Sequence, residues 1–258
     1  MTHNFDDLKI RSKHARISTL NQIFSAGSGH PGGSLSAVDI LVFIYSILQD
    51  SDFFVLSKGH AAPALYAILA EYDRIPKDEL STFRQINSRL QGHPHSILPT
   101  VVTPTGSLGQ GASVSVGLAM GDRSAKVYCL LGDGELQEGI IWEAAMFAAH
   151  YGLSNLVWVI DYNRYQSDAE LSRTMDISSI CEKFDAFNWL VNEVNGHSFD
   201  GLDKAFRIDP KGRPHLILAH TVKGRGVLYM EDNPSLWHGS IKLSQQQYED
   251  AIRDISDG

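Results

Sequence analysis

The chain has little cysteine, no long hydrophobic run and no excess of positive charge. Its 258 residues include two cysteines, Cys129 and Cys181, with neither CxxC spacing nor the density of a disulfide framework. We expect both to be buried as small apolar residues. A net charge of −8 disfavours binding to nucleic acid or to an anionic membrane, because both need clustered Lys and Arg.

Membrane and export signals are also missing. The longest apolar stretch, 37–48, is interrupted by Asp39 and is too short to span a bilayer. The first seven residues lack the basic and then apolar pattern of a leader peptide. We therefore expect a cytoplasmic protein that makes no membrane contact.

What the sequence does have is an alternation of helix-like and strand-like segments in one domain, 1–258. Periodicity predicts helices at 6–26, 34–48, 139–151 and 244–255, and strands at 53–56, 127–131, 156–160 and 215–220. Strands separated by helices predict an α/β fold with a mostly parallel sheet flanked by helices. Ligands bind beyond the carboxyl ends of such strands, where this sequence concentrates Gly, His, Asp and Asn.

The first glycine-rich loop, Gly27-Ser28-Gly29-His30-Pro31-Gly32, fits the GxGxxG pattern of dinucleotide-binding folds. It follows a helix instead of a strand, so a Rossmann dehydrogenase is disfavoured. A helix-terminating turn would explain the glycines but would not explain His30.

The second glycine-rich loop, Gly132 to Gly139, follows a strand and opens a helix. Its carboxylate, Asp133, could approach a diphosphate only through a cation. Mg²⁺ prefers oxygen ligands, which Asp133, Asn163 and one backbone carbonyl could supply. The amides from Gly134 onward would favour the diphosphate. A plain β-turn capped by Asp133 would explain this loop. It would not explain why an asparagine, Asn163, follows the next strand (163 − 133 = 30 residues later).

These two elements resemble a known signature. GDG followed about that distance later by Asn resembles the motif of thiamine diphosphate enzymes, and GDGELQEG with DYN resembles its transketolase form. Six further blocks match the amino-terminal half of transketolases in order: SGHPGGSLSA, LSKGHAAPALY, GHP, TGSLGQG, NGH, and TVKGRGV with WHG. The resemblance covers nearly the whole chain and implies the diphosphate-binding module of the thiamine diphosphate fold.

The resemblance implies three groups of site residues. The metal, Mg²⁺ or a substituting Ca²⁺ or Mn²⁺, would be held by Asp133, Asn163 and the carbonyl of Tyr165. The expected thiamine diphosphate contacts are His60, Gly106, Leu108, Gly132, Asp133, Gly134, Glu135, Asn163 and His238. The expected catalytic residues, which contact the sugar or relay protons, are His30, His93, His238 and Glu138.

The resemblance also implies a partner. The sequence stops where the second domain of transketolases would begin, so we expect a complementary subunit with the pyrimidine-binding and carboxyl-terminal domains, in a heterotetramer. The implied reaction moves a two-carbon ketol unit from a ketose, expected to be a sugar phosphate, to an aldose. Short segments at 49–53 and 121–127, and Ser-Asp-Ala at 167–169 where Asp-Gly is usual, put that substrate in doubt.

Two other functions stay open. A thiamine-dependent 2-oxo-acid decarboxylase or dehydrogenase needs GDG and Asn but does not need GHPGG, SKGH and GHP together. A noncatalytic cofactor-binding or regulatory subunit would not need the intact histidine set.

Residues outside these motifs are assigned no chemistry. We interpret five histidines as surface or satisfied core residues: His3, His14, His150, His215 and His220. Trp142 and Phe147, on the predicted helix 139–151, are expected in the core.

Overall fold

The computed structural model describes residues 4–98 and 100–258, so His3 lies outside the described residues. In chain order the α-helices are α1 Phe5–Ala26, α2 Pro31–Ile47, α3 Ala62–Glu71, α4 Gln110–Gly121, α5 Gly139–His150, α6 Leu171–Thr174, α7 Ile180–Ala186, α8 Phe199–Phe206, α9 Leu228–Asp232 and α10 Gln245–Asp257. Short 3₁₀ turns are Gly59–Ala61, Lys77–Thr82, Gly134–Gln137 and Pro234–Trp237.

The strands form one large sheet and one small hairpin. They are β1 Phe53–Leu56, β2 Val127–Gly132, β3 Leu156–Tyr162, β4 Tyr165–Gln166, β5 Ala169–Glu170, β6 Leu190–Asn195 and β7 His215–His220. The large sheet has the order β1-β2-β3-β7-β6 and every pairing in it is parallel. Strands β4 and β5 pair antiparallel. The predicted α/β fold with a mostly parallel sheet is confirmed.

The large sheet is covered on both faces, as parallel sheets usually are. Alternate strand residues point to opposite sides, so Leu130 and Val159 pack towards α1, α2, α3 and α8, whereas Leu131 and Trp158 pack towards α4, α5 and α7. A third apolar cluster joins α1 and α2 to α9 and α10. No helix among residues 4–98 and 100–258 is long and apolar enough to cross a membrane.

All four predicted helices and all four predicted strands are present within a few residues of the expected bounds. Gly27 ends α1 with a φ of 63°, as its position after the helix predicted. Strand β6 was missed, because its sequence Leu-Val-Asn-Glu-Val-Asn mixes polar and apolar residues at a sheet edge. Helices α3, α4, α7 and α8 were not predicted either.

Two burial predictions are wrong. Phe147 is 45% exposed, because α5 is apolar around most of its circumference and turns this side away from the sheet. Cys181 is half-buried, and its Sγ lies 3.3 Å from Glu193 Oε1 at the edge strand. Cys129 is fully buried, as expected, and Trp142 packs against the aromatic rings of α7.

The buried imidazole of His215 should make the stability of the folded chain depend on pH. It is buried, with Nε2 2.9 Å from Asn192 Oδ1, and burial lowers its pKa from 6.5 to about 4. Between these two values the unfolded chain binds a proton that the folded chain does not. Stability should therefore fall as pH drops through this window, by up to roughly 3 kcal/mol from this residue.

Urea unfolding at pH 7 and pH 4.5 checks this prediction. His215→Gln should lose less stability on acidification than the parent chain, because glutamine does not titrate. Identical losses in both proteins would contradict a role for His215. Burial lowers the pKa of His30 and His238 to about 4 as well, so part of the acid sensitivity should remain in the variant.

Candidate active site

A cleft of about 330 Å³ opens at the carboxyl ends of β2 and β3. Twelve of the thirteen predicted site residues line it: His30, His60, Gly106, Leu108, Gly132, Asp133, Gly134, Glu135, Glu138, Asn163, Tyr165 and His238. The thirteenth, His93, is exposed, with its ring centroid 6.4 Å from that of His30. Six segments separated widely in sequence therefore meet at the sheet edge that the strand pattern predicted.

Asp133 follows β2 and lies against the turn that follows β3. Its Oδ1 accepts a hydrogen bond of 2.8 Å from the amide of Gly134, and its Oδ2 accepts one from the amide of Arg164. Asn163, the residue before that amide, donates to Ser36 Oγ over 3.5 Å and accepts from the Tyr165 amide over 3.1 Å. The two predicted metal-ligating side chains thus end adjacent strands and face one turn.

The charge of Asp133 is poorly compensated by the protein. Burial, with a smaller contribution from the negative charge of Asp161, raises the pKa of Asp133 to about 7. Protein amides offset only part of this effect. A carboxylate in such surroundings favours a nearby cation, which would restore its ionised form.

The hairpin β4–β5 closes over Gly134. A Cβ atom built on Gly134 would lie 2.7 Å from Cβ of Gln166, so a side chain at this position would push the hairpin away. Gln166 also lines the cleft, and its Oε1 is buried without a hydrogen-bond partner among the described residues. Glycine at position 134 therefore lets the hairpin pack directly against the backbone after β2.

Glu135 joins the loops around the cleft. Its Oε1 accepts from Ser57 Oγ and, over 2.8 Å, from the Gly109 amide, while its Oε2 accepts from the Gly132 amide over 3.0 Å. Burial raises the pKa of this carboxyl group. Because three protein groups engage the carboxylate, Glu135 fixes the shape of the cleft through its side chain.

Three imidazoles line the cleft, those of His30, His60 and His238, and a fourth, that of His93, lies near His30. The ring centroid of His30 lies 5.5 Å from that of His60 and 5.6 Å from that of His238, and the last two are 5.3 Å apart. Burial lowers the pKa of all four, to about 4 for His30 and His238. They are therefore neutral at pH 7. Nδ1 of His30 is buried without a hydrogen-bond partner in the described part of the chain.

Sequence reasoning missed a buried ion pair below the cleft. Lys58 Nζ contacts Asp161 Oδ2, and the two side chains are 1% and 0% exposed. Lys58 also donates to the Gly33 carbonyl over 2.9 Å, and Ser36 Oγ donates to Asp161 over 2.6 Å. Both charged residues stand inside recognised blocks, SKGH and DYN, but only the folded chain shows that they pair.

A second missed cation, Lys223, lines the cleft from the segment after β7. It is 2% exposed, and its Nζ donates to the Ser167 carbonyl over 2.9 Å. Burial, with a further effect of Lys58, lowers the pKa of Lys223 to about 8. Because no carboxylate neutralises this ammonium directly in the contacts of the described chain, the cleft suits an anionic ligand.

The donor set fits a diphosphate held through a hard cation. Among residues 4–98 and 100–258, no three His, Cys, Asp or Glu side chains group to hold a metal ion. The cleft offers instead the oxygens of Asp133 and Asn163 and nearby carbonyls, a set suited to Mg²⁺ with several non-protein oxygen ligands. Lys223 adds an ammonium donor for phosphate oxygens.

Comparison with known proteins agrees with this geometry. Residues 9–249 match the family described as "Transketolase, thiamine diphosphate binding domain". The transketolase of Pongo abelii is 44% identical across 96% of this chain, which spans 42% of that protein. An apulose-4-phosphate transketolase subunit of Phocaeicola vulgatus is 37% identical across 98% of this chain and is matched along 95% of its own length.

Comparison with solved structures also finds a transketolase. The crystal structure of transketolase from Campylobacter jejuni superposes with a TM-score of 0.88 at 29% identity, covering 98% of this chain and 43% of that one. The chain thus spans less than half the length of the single-chain transketolases that it matches, and nearly the full length of the Phocaeicola vulgatus protein. Its fold is therefore that of the corresponding part of the Campylobacter jejuni transketolase. The chain belongs to the transketolase family, in which it represents the thiamine diphosphate-binding domain.

Proposed function

We propose that this chain is the cofactor-binding subunit of a split transketolase, which transfers a two-carbon ketol unit from a ketose to an aldose. The observation that carries the proposal is the meeting of Asp133 with the turn at Asn163, beside the Gly134 amide and four neutral imidazoles. A diphosphate bridged by a metal ion would account for Asp133 and the turn at Asn163. A polyhydroxylated substrate would account for the neutral imidazoles.

Each cleft residue has a proposed part in binding. Asp133, Asn163 and the carbonyl of Tyr165 would hold Mg²⁺. The diphosphate would be held by Lys223, His60 and the backbone at Gly134, and Gly106 and Leu108 would lie beneath the rings. Bound thiamine diphosphate supplies the electron sink that lets a carbon–carbon bond next to a carbonyl break.

The imidazoles handle protons and hydroxyl groups. Each neutral ring carries one N–H donor and one acceptor nitrogen, so His30, His93 and His238 can orient hydroxyls and exchange protons at oxygen. The unpartnered Nδ1 of His30 leaves one such position to be satisfied by a ligand. Glu138, which is exposed where α5 begins, would act at a contact with another subunit.

His93→Ala should reduce turnover far more than cofactor affinity. The ring centroid of this exposed imidazole lies 6.4 Å from that of His30, where it would contact the substrate. A hydrogen bond to a developing charge contributes about 1.5–3 kcal/mol, so kcat/KM should fall roughly 10- to 150-fold. Kinetics of the reconstituted complex, with a thiamine diphosphate titration, provide the measurement. Equal losses in cofactor affinity and turnover would make His93 a cofactor residue instead.

An apolar face supports the proposal that a complementary subunit is the partner. Helices α4 and α5 pack together and leave five large apolar side chains 36–50% exposed on or next to them: Val114, Met120, Met146, Phe147 and Tyr151. Helix α5 begins directly after Glu138 at the cleft, and Met146, Phe147 and Tyr151 lie towards its other end. Large apolar side chains exposed together on two packed helices are typical of protein interfaces. A heterotetramer with two copies of each subunit is the proposed assembly.

The name of a relative supplies the first donor sugar to test. The name of the Phocaeicola vulgatus protein specifies apulose-4-phosphate, which makes this sugar phosphate the first donor to test. The chain should be mixed with its complementary subunit, thiamine diphosphate and Mg²⁺, and offered ketose phosphates with aldose acceptors or, separately, 2-oxo acids. Ketol transfer is the expected result. Release of CO₂ from a 2-oxo acid without ketol transfer would favour a decarboxylase, and cofactor binding without either reaction would favour a noncatalytic subunit.

A further inference from the structure

Lys223 lies in the segment 221–226, here called the Lys223 loop. Hydrogen bonds hold this loop in place on both of its sides. On the sheet side, Thr221 Oγ1 donates to Asp161, and the Gly224 amide donates to the Gly32 carbonyl over 3.0 Å. On the other side, the Val222 amide donates to His197 Nε2 over 2.9 Å, and Arg16 Nε donates to the Arg225 carbonyl over 3.1 Å. The loop therefore has little freedom to shift.

Behind His197 lies a buried ion pair. Arg16 Nη1 and Nη2 donate to the two carboxylate oxygens of Asp39, over 3.0 and 2.6 Å. His197 Nδ1 lies 2.7 Å from Asp39 Oδ2. Because Nε2 accepts from the Val222 amide, the proton is on Nδ1 and is donated to Asp39. Burial acts to raise the pKa of Asp39, but Arg16 and His197 hold it below its usual value.

The backbone of this loop determines where the Lys223 side chain points. A Cβ atom on Gly32 would lie 3.0 Å from Lys223 Cγ and 3.1 Å from its Cε, so the aliphatic stem runs directly over that glycine. The ammonium then reaches the cleft, where it donates to Ser167. With the stem confined in this way, the position of Nζ is set by the backbone at Val222 and Gly224.

We infer that His197 is a positioning residue for the cofactor's diphosphate. Its neutral imidazole fixes the Val222 amide against the buried Arg16–Asp39 pair, and the adjacent Lys223 ammonium is thereby held in the cleft. The inference rests on the proposed function for the identity of the anion. It assigns a task to the NGH block, which lies outside the residues that line the cleft.

A purely structural role for His197 makes a different prediction. In that case its loss would destabilise the turn between β6 and α8 but leave Lys223 in place. His215 provides a matched control, because it is also buried and hydrogen-bonded through its ring but stands at the opposite end of β7. His215→Gln should alter stability alone.

The first experiment needs no cofactor. Trace acetylation of the full chain under native conditions, read by mass spectrometry, measures the reactivity of Lys223 relative to exposed Lys77. In His197→Ala the ratio should rise at least about fivefold, because a released ammonium becomes accessible to reagent. In His215→Gln and in the parent chain it should stay low. An unchanged ratio in a folded His197→Ala protein would overturn the inference.

The second experiment measures thiamine diphosphate binding with Mg²⁺ by calorimetry on the complex with the complementary subunit. His197→Ala should raise Kd about 10-fold or more when Lys223 is present, and less than about threefold in a Lys223→Met background. His197→Gln should recover part of the affinity, because its Oε1 can accept from the Val222 amide. Equal effects in both backgrounds would reject coupling through Lys223. A parent complex that binds no thiamine diphosphate would contradict the proposed function, while the acetylation result would still decide whether His197 holds Lys223.

Discussion

Purified alone, this chain should catalyse no measurable ketol transfer, and its complementary subunit should restore turnover. The proposed anchors for Mg²⁺ and diphosphate lie in a cleft at the sheet edge, and helices α4 and α5 expose large apolar side chains. The curated single-chain transketolases that match are more than twice as long. An incomplete site makes fewer contacts and is less preorganised, so both cofactor affinity and turnover should drop in the isolated chain.

The assay compares three samples at matched concentrations, each with thiamine diphosphate and Mg²⁺: this chain, the complementary subunit, and their mixture. Only the mixture should turn over, and its activity should saturate as the second component is added. Mass spectrometry of the purified chain serves as the control for contaminating host transketolase. Robust turnover by a clean preparation of this chain alone would refute the split-enzyme proposal.

Asp133→Asn should abolish turnover in the reconstituted complex while the chain remains folded. Asparagine is isosteric and its single oxygen can still accept from the amide of Gly134, although its NH2 group cannot accept from the amide of Arg164, so the turn after β2 should persist with one hydrogen bond fewer. The variant lacks the negative charge that would bind Mg²⁺. A metal contribution of roughly 4 kcal/mol corresponds to a fall of about 1,000-fold in turnover.

Titration of Mg²⁺ against thiamine diphosphate binding measures this effect directly, because the affinities for the two ligands should fall together. Asp122→Asn is the matched control: Asp122 also accepts hydrogen bonds from two backbone amides, Ser124 and Ala125, but it lies at the exposed end of α4. That variant should behave as the parent does. Normal Mg²⁺ dependence in Asp133→Asn would remove Asp133 from the proposed metal set.

Local sequence patterns were sufficient to predict the site residues that directly follow a strand. Asp133 and Asn163 could be placed together because each directly follows a strand with a clear apolar run, and parallel strands share one carboxyl edge. The Lys58–Asp161 pair could not be found this way, since its partners are 161 − 58 = 103 residues apart and no periodicity links them. Their burial is a property of the assembled sheet.

The buried face of a helix was harder to predict than the helix itself. In α5, Ile, Trp, Ala, Met and Phe occur on nearly every side, so the sequence identifies a helix but not the side that faces the sheet. Phe147 was assigned to the core for this reason, and it is exposed. The engagement of Glu135 by three loop groups was equally hidden, because Ser57 and Gly109 reach it only after long crossovers.

The parallel order of the sheet has a consequence for the speed of folding. The pairing of Phe53 with Val127 closes a loop of 127 − 53 = 74 residues, and that of Val157 with His215 closes one of 215 − 157 = 58 residues. Loop entropy must be overcome before such contacts contribute stability, so chains of this topology fold slowly. During that interval the apolar surface of α4 and α5 is exposed together with unpaired strand edges. Synthesis alongside a partner that covers this surface would shorten the time in which newly made chains can aggregate.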